Sequence, residues 1–352
     1  MPRVRCAFVS VGLAIGAALT TGGTRTIAAQ AAPQAAPQAA PQAAPQGAAG
    51  TLRTDTLFAW ALGVKKSLVV YLPSSYERAP TRRYPVVLYL HGLGGNEQNW
   101  TVAGQLHRTM DSLVAAGAPE AILAMPDGDD GWYTTAASLP DLTRCPADTV
   151  RREPAATYCV PWPHYDDYIV SDILGHLDAR YRTKAERAHR AIAGLSMGGY
   201  GAMTLALSFP EQFAAAASHS GVLSPRLLPG NADSAPRYAQ TITEFERAAG
   251  SLWPSQRIAF GADSIAWWAR DPRTMAQRID ERVREGKATW PALFVDVGTE
   301  DRWLLHNRDF RAALTALGVP HRYAEWPGGH SWTYWRPHAA ESLRFLLDIV
   351  GR

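Results

Sequence analysis

His189-Arg190-Ala191-Ile192-Ala193-Gly194-Leu195-Ser196-Met197-Gly198-Gly199-Tyr200-Gly201-Ala202 is the stretch on which the fold turns. Residues 190–193 form a short apolar run that reads as a buried strand, and residues 199–208 read as a helix stopped by Pro210. Between them lies Gly194-Leu195-Ser196-Met197-Gly198, a Gly-x-Ser-x-Gly pattern in strand–turn–helix context. The glycines suit a sharp turn, because side chains at those flanks would collide with strand or helix. Such a turn lifts a hydroxyl clear of the sheet edge and aims a helix N-terminus at negative charge developing beside it. Ser196 is the candidate nucleophile.

The same rhythm runs outward in both directions. Residues 67–72, 85–90, 121–125, 213–218, 292–297 and 321–326 read as strands, with Val86 to Leu90 a continuous buried run. Tyr168, Ile169, Ile173, Leu177 and Tyr181 recur at helical spacing, and residues 310–316 and 340–350 read as further helices. Strands alternating with helices predict an α/β fold with a mostly parallel sheet covered on both faces. Two stretches break the rhythm. Residues 138–163 form a loop-like insertion, and residues 224–290 a long excursion with helical pieces at 265–270 and 274–285. Long excursions beside a site often shape it.

A serine hydroxyl needs a base to take its proton, and the base needs an acid to hold its tautomer. His330 follows Pro327-Gly328-Gly329 just past a strand, on a loop able to reach across a sheet's carboxyl edge. Asp301, in Gly298-Thr299-Glu300-Asp301, follows the 292–297 strand; Glu300 is its near rival, and Asp296 lies within the strand itself. The order Ser196, Asp301, His330 is the chain order of α/β-hydrolases. His91 belongs to His91-Gly92-Leu93-Gly94-Gly95, a loop better suited to supply backbone N–H groups than a base. An oxyanion hole is expected from the amides of Leu93 and Met197.

Charge gives no partner. The chain has 352 residues with 35 Lys+Arg against 32 Asp+Glu, a formal +3. Arg3, Arg5 and Arg25 stand in the first 50 residues with no acid; removing those three leaves 32 basic against 32 acidic. The bulk number thus gives no support for a nucleic-acid face. Residues 1–29 read as a signal peptide, with a charged start, an apolar stretch from Ala7 to Leu19, and a cleavage site near Ala29. That stretch is too short to span a bilayer, so no stable membrane span is expected in the mature protein and the location is secreted or periplasmic. Residues 30–50 are a spacer built on four Ala-Ala-Pro-Gln repeats, and residues 51–352 the folded domain. In an oxidising compartment Cys145 and Cys159 are expected to pair. No metal-ligand cluster is seen, and no cofactor is expected.

Several segments together resemble the esterase D-like group of α/β-hydrolases, which includes tributyrin, feruloyl and acetyl-xylan esterases, S-formylglutathione hydrolases and mycolyltransferases. They are Tyr89 to Gly95, Met125-Pro126-Asp127-Gly128 with Trp132-Tyr133, the Ser196 segment, Gly298 to Asp301, and Gly328-Gly329-His330-Ser331-Trp332. The resemblance implies the α/β-hydrolase fold, a Ser196–His330–Asp301 triad, and oxyanion amides on Leu93 and Met197. It also implies a substrate-binding surface drawing on His91, Gly92, Trp132, Tyr133 and Trp332. The implied reaction is hydrolysis of short-chain acyl or carbohydrate-linked esters. Two alternatives stand beside it: acyl transfer to a sugar hydroxyl, and a catalytically inactive carbohydrate-binding module. The cysteine-bearing insertion is longer than in compact members and bears on substrate choice. Oligomeric state is not legible.

Overall fold

A computed structural model describes residues 49–139, 141–145, 159–230 and 235–352. The leader, and the spacer up to residue 48, lie outside the described residues.

Eight strands make one sheet: β1 (Thr51–Ala59), β2 (Val64–Leu72), β3 (Val86–Leu90), β4 (Ile122–Pro126), β5 (Arg190–Leu195), β6 (Ala215–His219), β7 (Ala292–Gly298) and β8 (His321–Trp326). Their order is β1-β2-β4-β3-β5-β6-β7-β8. β1 pairs antiparallel with β2, and β2 antiparallel with β4; every later pairing is parallel. This is the α/β-hydrolase fold, a mostly parallel sheet with helices on both faces.

Burial explains which strands the sequence announces. The central strands β3, β4, β5 and β6 are buried at every position, because helices cover both their faces. Edge strand β1 is exposed over Thr51–Thr54 and alternates only at its far end, so its apolar signal is faint. It is the strand the sequence reading lacks.

Alternation along the strands divides the core into two layers. Leu88, Leu90, Ile192 and Val295 face one layer, packed by Tyr168, Ile169, Met203, Leu207 and Phe310. Val87, Tyr89, Ala193 and Phe294 face the other, packed by Met110, Trp335, Leu343 and Leu347. The helices used below are α1 (Leu106–Ala115), α2 (Leu174–Arg180), α3 (Met197–Ser208), α4 (Ile242–Ala249), α5 (Trp253–Phe260), α6 (Ser264–Ala269), α7 (Pro272–Arg284), α8 (Leu304–Ala316) and α9 (Trp332–Val350). α2 follows a π-helical turn over Tyr168–Ile173. α9 begins eight residues before the apolar periodicity at 340 suggests and carries Pro337 inside it. α4 to α7 all belong to the 224–290 excursion, and α4 opens on a capping box between Thr241 and Glu244.

Cys145 and Cys159 are joined in a disulfide with Cα atoms 5.7 Å apart. The start of the insertion is stitched to α5, where Ala137 N donates to Ala259 O and Ser138 N to Ile258 O. No helix among the described residues is long and apolar enough to cross a membrane.

Candidate functional site

Ser196 sits at the N-cap of α3 with φ 54° and ψ −116°, a strained conformation for a residue with a Cβ. The strain is imposed by contacts that only glycine permits. A Cβ on Gly194 would lie 2.2 Å from Gly198 O, and one on Gly198 would lie 2.4 Å from Leu90 O. Strand β5, the turn and α3 therefore meet at backbone distance, and the serine is forced outward. Ser196 N donates to His219 O at 2.9 Å, which pins the turn to β6.

Three carboxyl-edge loops converge on this turn. His330 Nε2 lies 2.9 Å from Ser196 Oγ, and His330 Nδ1 lies 2.9 Å from Asp301 Oδ2. Asp301 also accepts from Trp303 N at 2.8 Å. Burial raises its pKa, but the hydrogen bond and charge of His330 outweigh it and hold the carboxyl below the ordinary 3.8. Glu300, the neighbouring acid, is exposed. Asp296 is fully buried instead, where it accepts from Tyr334 and lies 2.6 Å from His219. The Asp301 and His330 loops touch through glycine, since a Cβ on Gly298 would lie 2.1 Å from Gly328 O. A histidine so held can take a proton from the serine while its other nitrogen keeps its own proton and donates it in a hydrogen bond to the carboxylate.

The β3 loop brings Leu93, and the turn itself brings Met197. Neither amide N–H finds a protein acceptor among the described residues. Both come from segments that border the Ser196 hydroxyl, where developing negative charge would need donors.

A cleft of 340 Å³ lies over the serine, lined by Gly92, Leu93, Ser196, His330 and Trp332 among others. The remaining expected substrate contacts do not reach it. His91, Trp132 and Tyr133 are at most 1 % exposed. His91 Nδ1 lies 2.8 Å from Gly92 O, and Gly128 N donates to His91 Nε2 at 2.9 Å, so the ring splints one loop to the next. Tyr133 donates to His91 O at 3.1 Å, and Trp132 packs edge-on against Tyr200 and Phe260. This correction has a physical reason. Trp132 and Tyr133 both adopt positive φ, at 54° and 52°, and the bend turns both rings inward.

Beneath that splint is a buried ionic cluster. Lys66 on β2 reaches Asp127 at 2.7 Å and Asp129 at 2.8 Å, and Tyr165 donates to Asp129 at 2.7 Å. Burial lowers the Lys66 pKa, but the two carboxylates outweigh it and raise the group above its ordinary value.

Three residues at the site carry no sequence motif. Leu252 comes from the 224–290 excursion and Arg302 follows Asp301; both line the cleft. Ser220, fully buried with φ 50°, accepts from Trp335 Nε1 at 3.1 Å, and its hydroxyl adds a small part to what holds the Asp301 carboxyl below its ordinary value. Trp335 in turn stands edge-on to the His330 ring at 4.8 Å. Ser220 becomes visible only when β6 is known to lie beside β5, with His219 opposite Leu195. Among the described residues no group of three or more His, Cys, Asp or Glu could hold a metal ion.

Comparison with known proteins bears on the family and the fold. Esterase Rv1288 of Mycobacterium tuberculosis is 30 % identical over 305 residues, which is 83 % of this chain and 56 % of that protein. The chain thus spans little more than half the length of this curated relative. A solved ferulic acid esterase superposes with TM-score 0.63 at 26 % identity, covering 86 % of this chain and 99 % of its own. An S-formylglutathione hydrolase from Agrobacterium tumefaciens shares the fold, with TM-score 0.62 at 19 % identity over 88 % of this chain and 99 % of its own. The family model described as "Putative esterase" matches residues 60–346, and the chain belongs to that Esterase family.

Proposed function

We propose that this chain is an exported serine carboxylic-ester hydrolase acting through an acyl-enzyme. The observation that carries the reading is the continuous hydrogen-bonded path from Ser196 Oγ through His330 to the buried Asp301. Ser196 attacks the ester carbonyl while His330 takes its proton. The Leu93 and Met197 amides hold the oxyanion. His330 then protonates the departing alcohol, and a water activated by the same ring releases the acyl group. The intact relay favours turnover over a purely binding role. The substrate in this reading is a short-chain acyl or carbohydrate-linked ester, and the small cleft suits a short acyl group. Export is supported by the charged and apolar leader and by the Cys145–Cys159 bridge.

Ser196→Ala tests the reading directly. We expect loss of p-nitrophenyl acetate turnover by at least about 10³-fold, together with loss of labelling by a fluorophosphonate, in a protein of unchanged circular dichroism. Near-wild-type turnover in that variant would remove Ser196 as nucleophile.

A further inference from the structure

The cleft over Ser196 does not end at His330. Trp332 is a wall both of that 340 Å³ cleft and of a neighbouring groove of 720 Å³ lined by residues of α1 and α9. Its ring is held edge-on by Trp100 at 5.2 Å and by Trp335 at 5.5 Å. The two cavities therefore share a fixed partition.

Their lining is one-sided in charge. Arg108 and Arg336 line the groove, Arg302 lines the cleft, and no Asp or Glu lines either. Among the described residues none of the three guanidiniums pairs with a carboxylate. Arg336 donates to the neutral Gln105, and Arg302 lies over the ring of Trp303. Some arginines elsewhere in this protein are paired with acids, among them Arg190 with Asp178, Arg226 with Asp271 and Arg273 with Asp309. The positive charge at the cavities is not a background property either, since beyond residue 50 the chain carries equal numbers of basic and acidic side chains. A concave surface of one sign concentrates ligands of the other, and the guanidinium fork is matched to carboxylate oxygens. The hydroxyls of Thr109 and Thr333, also in the groove, suit a polyhydroxylated ligand.

We propose that the groove binds the alcohol side of the ester and that this side is a carboxylate-bearing carbohydrate, of the uronic-acid class. The inference rests on the reading of Ser196 as an ester-cleaving nucleophile. In this arrangement the acyl group occupies the cleft beside Leu93, and the sugar chain passes Trp332 toward Arg336 and Arg108.

The test compares an acetylated oligogalacturonate with an acetylated xylo-oligosaccharide of equal length, using the full chain and an Arg108→Gln/Arg336→Gln variant. The wild type should prefer the uronate in kcat/KM by at least about tenfold at low salt, with the preference shrinking as salt rises. The variant should lose most of that preference, losing far more on the uronate than on the neutral oligomer. Equal use of both oligomers, or equal loss on both, overturns the groove. Failure of the wild type on p-nitrophenyl acetate strikes the esterase reading instead. In that event calorimetry with unacetylated oligogalacturonate still decides the groove, by binding that the variant loses or by no binding.

Discussion

The backbone of Ser220 stands at φ 50°, in the region that favours glycine, yet the residue is a serine and fully buried. Its hydroxyl accepts from Trp335 Nε1, and the Trp335 ring stands edge-on to His330, so Ser220 bears on the orientation of the His330 ring two contacts away. Ser220→Gly separates backbone from hydroxyl. Glycine accepts the positive φ without strain, which offsets part of the roughly 1–3 kcal/mol cost of leaving the buried Trp335 Nε1 without its acceptor, so stability should fall only modestly. The loosened Trp335 ring beside His330 should appear as a kcat lowered by about tenfold with KM little changed. Steady-state kinetics beside urea denaturation reads both. An unchanged kcat in a folded Ser220→Gly protein would reduce Ser220 to a packing residue. His91 is a second case at this scale. Its position at the end of β3 is right for a site, but both ring nitrogens are engaged by backbone, at Gly92 and Gly128.

At the scale of elements, the loop after β3 and the loop after β4 are kept in register by side chains that point away from the cleft. Lys66 is the keystone, 1 % exposed between Asp127 and Asp129. Lys66→Met would leave two carboxylates buried without that cation. Breaking a buried pair in this way costs about 3–5 kcal/mol, and we expect a loss of that order in denaturant unfolding. Activity should fall beyond what unfolding explains, because Asp127 and Gly128 adjoin the His91 splint under Leu93. A variant that lost activity no further than its unfolded fraction would show that the cluster stabilises β2 and β4 without serving the loop. The 224–290 excursion also finds a role at this scale. Its short turn Gly250–Leu252 brings Leu252 to the cleft, while α7 packs on α3 behind Ser196.

For the whole molecule, pH acts through groups that folding buries. His306 packs edge-on against Trp303 beside the Asp301 loop, and burial pushes its pKa down to about 4 from an ordinary 6.5. The native state therefore binds fewer protons than the unfolded chain between those values. Stability from this group is complete above pH 6.5 and is lost as pH falls toward 4. Asp301, whose carboxyl is held below 3.8, adds a second loss that sets in below that value as it protonates. Urea midpoints measured from pH 7 to pH 4 should fall, and His306→Asn should flatten the slope between pH 6.5 and 4. An unchanged slope in that variant would assign the acid sensitivity elsewhere. Much of this molecule is written locally. The apolar runs of β3 to β6 announce buried parallel strands because a strand covered on both faces has no polar side to show. The Gly194-x-Ser196-x-Gly198 turn is equally local, since steric crowding at both glycines leaves few other residues able to fill it. Edge strand β1 escaped because its exposed half reads as loop, and the start of α9 because Pro337 interrupts its pattern. What the sequence by itself determined was the fold class and the residue types able to perform the chemistry. Only the tertiary structure decided which of them meet: Ser196, His330 and Asp301 converge while His91, Trp132 and Tyr133 turn inward, Arg302 lines the cleft beside Asp301, and Ser220 and Leu252 come to the site from distant segments. The reason is physical, because motif and periodicity record contacts between near neighbours in the chain, whereas a cleft is built from loops that only sheet order places side by side.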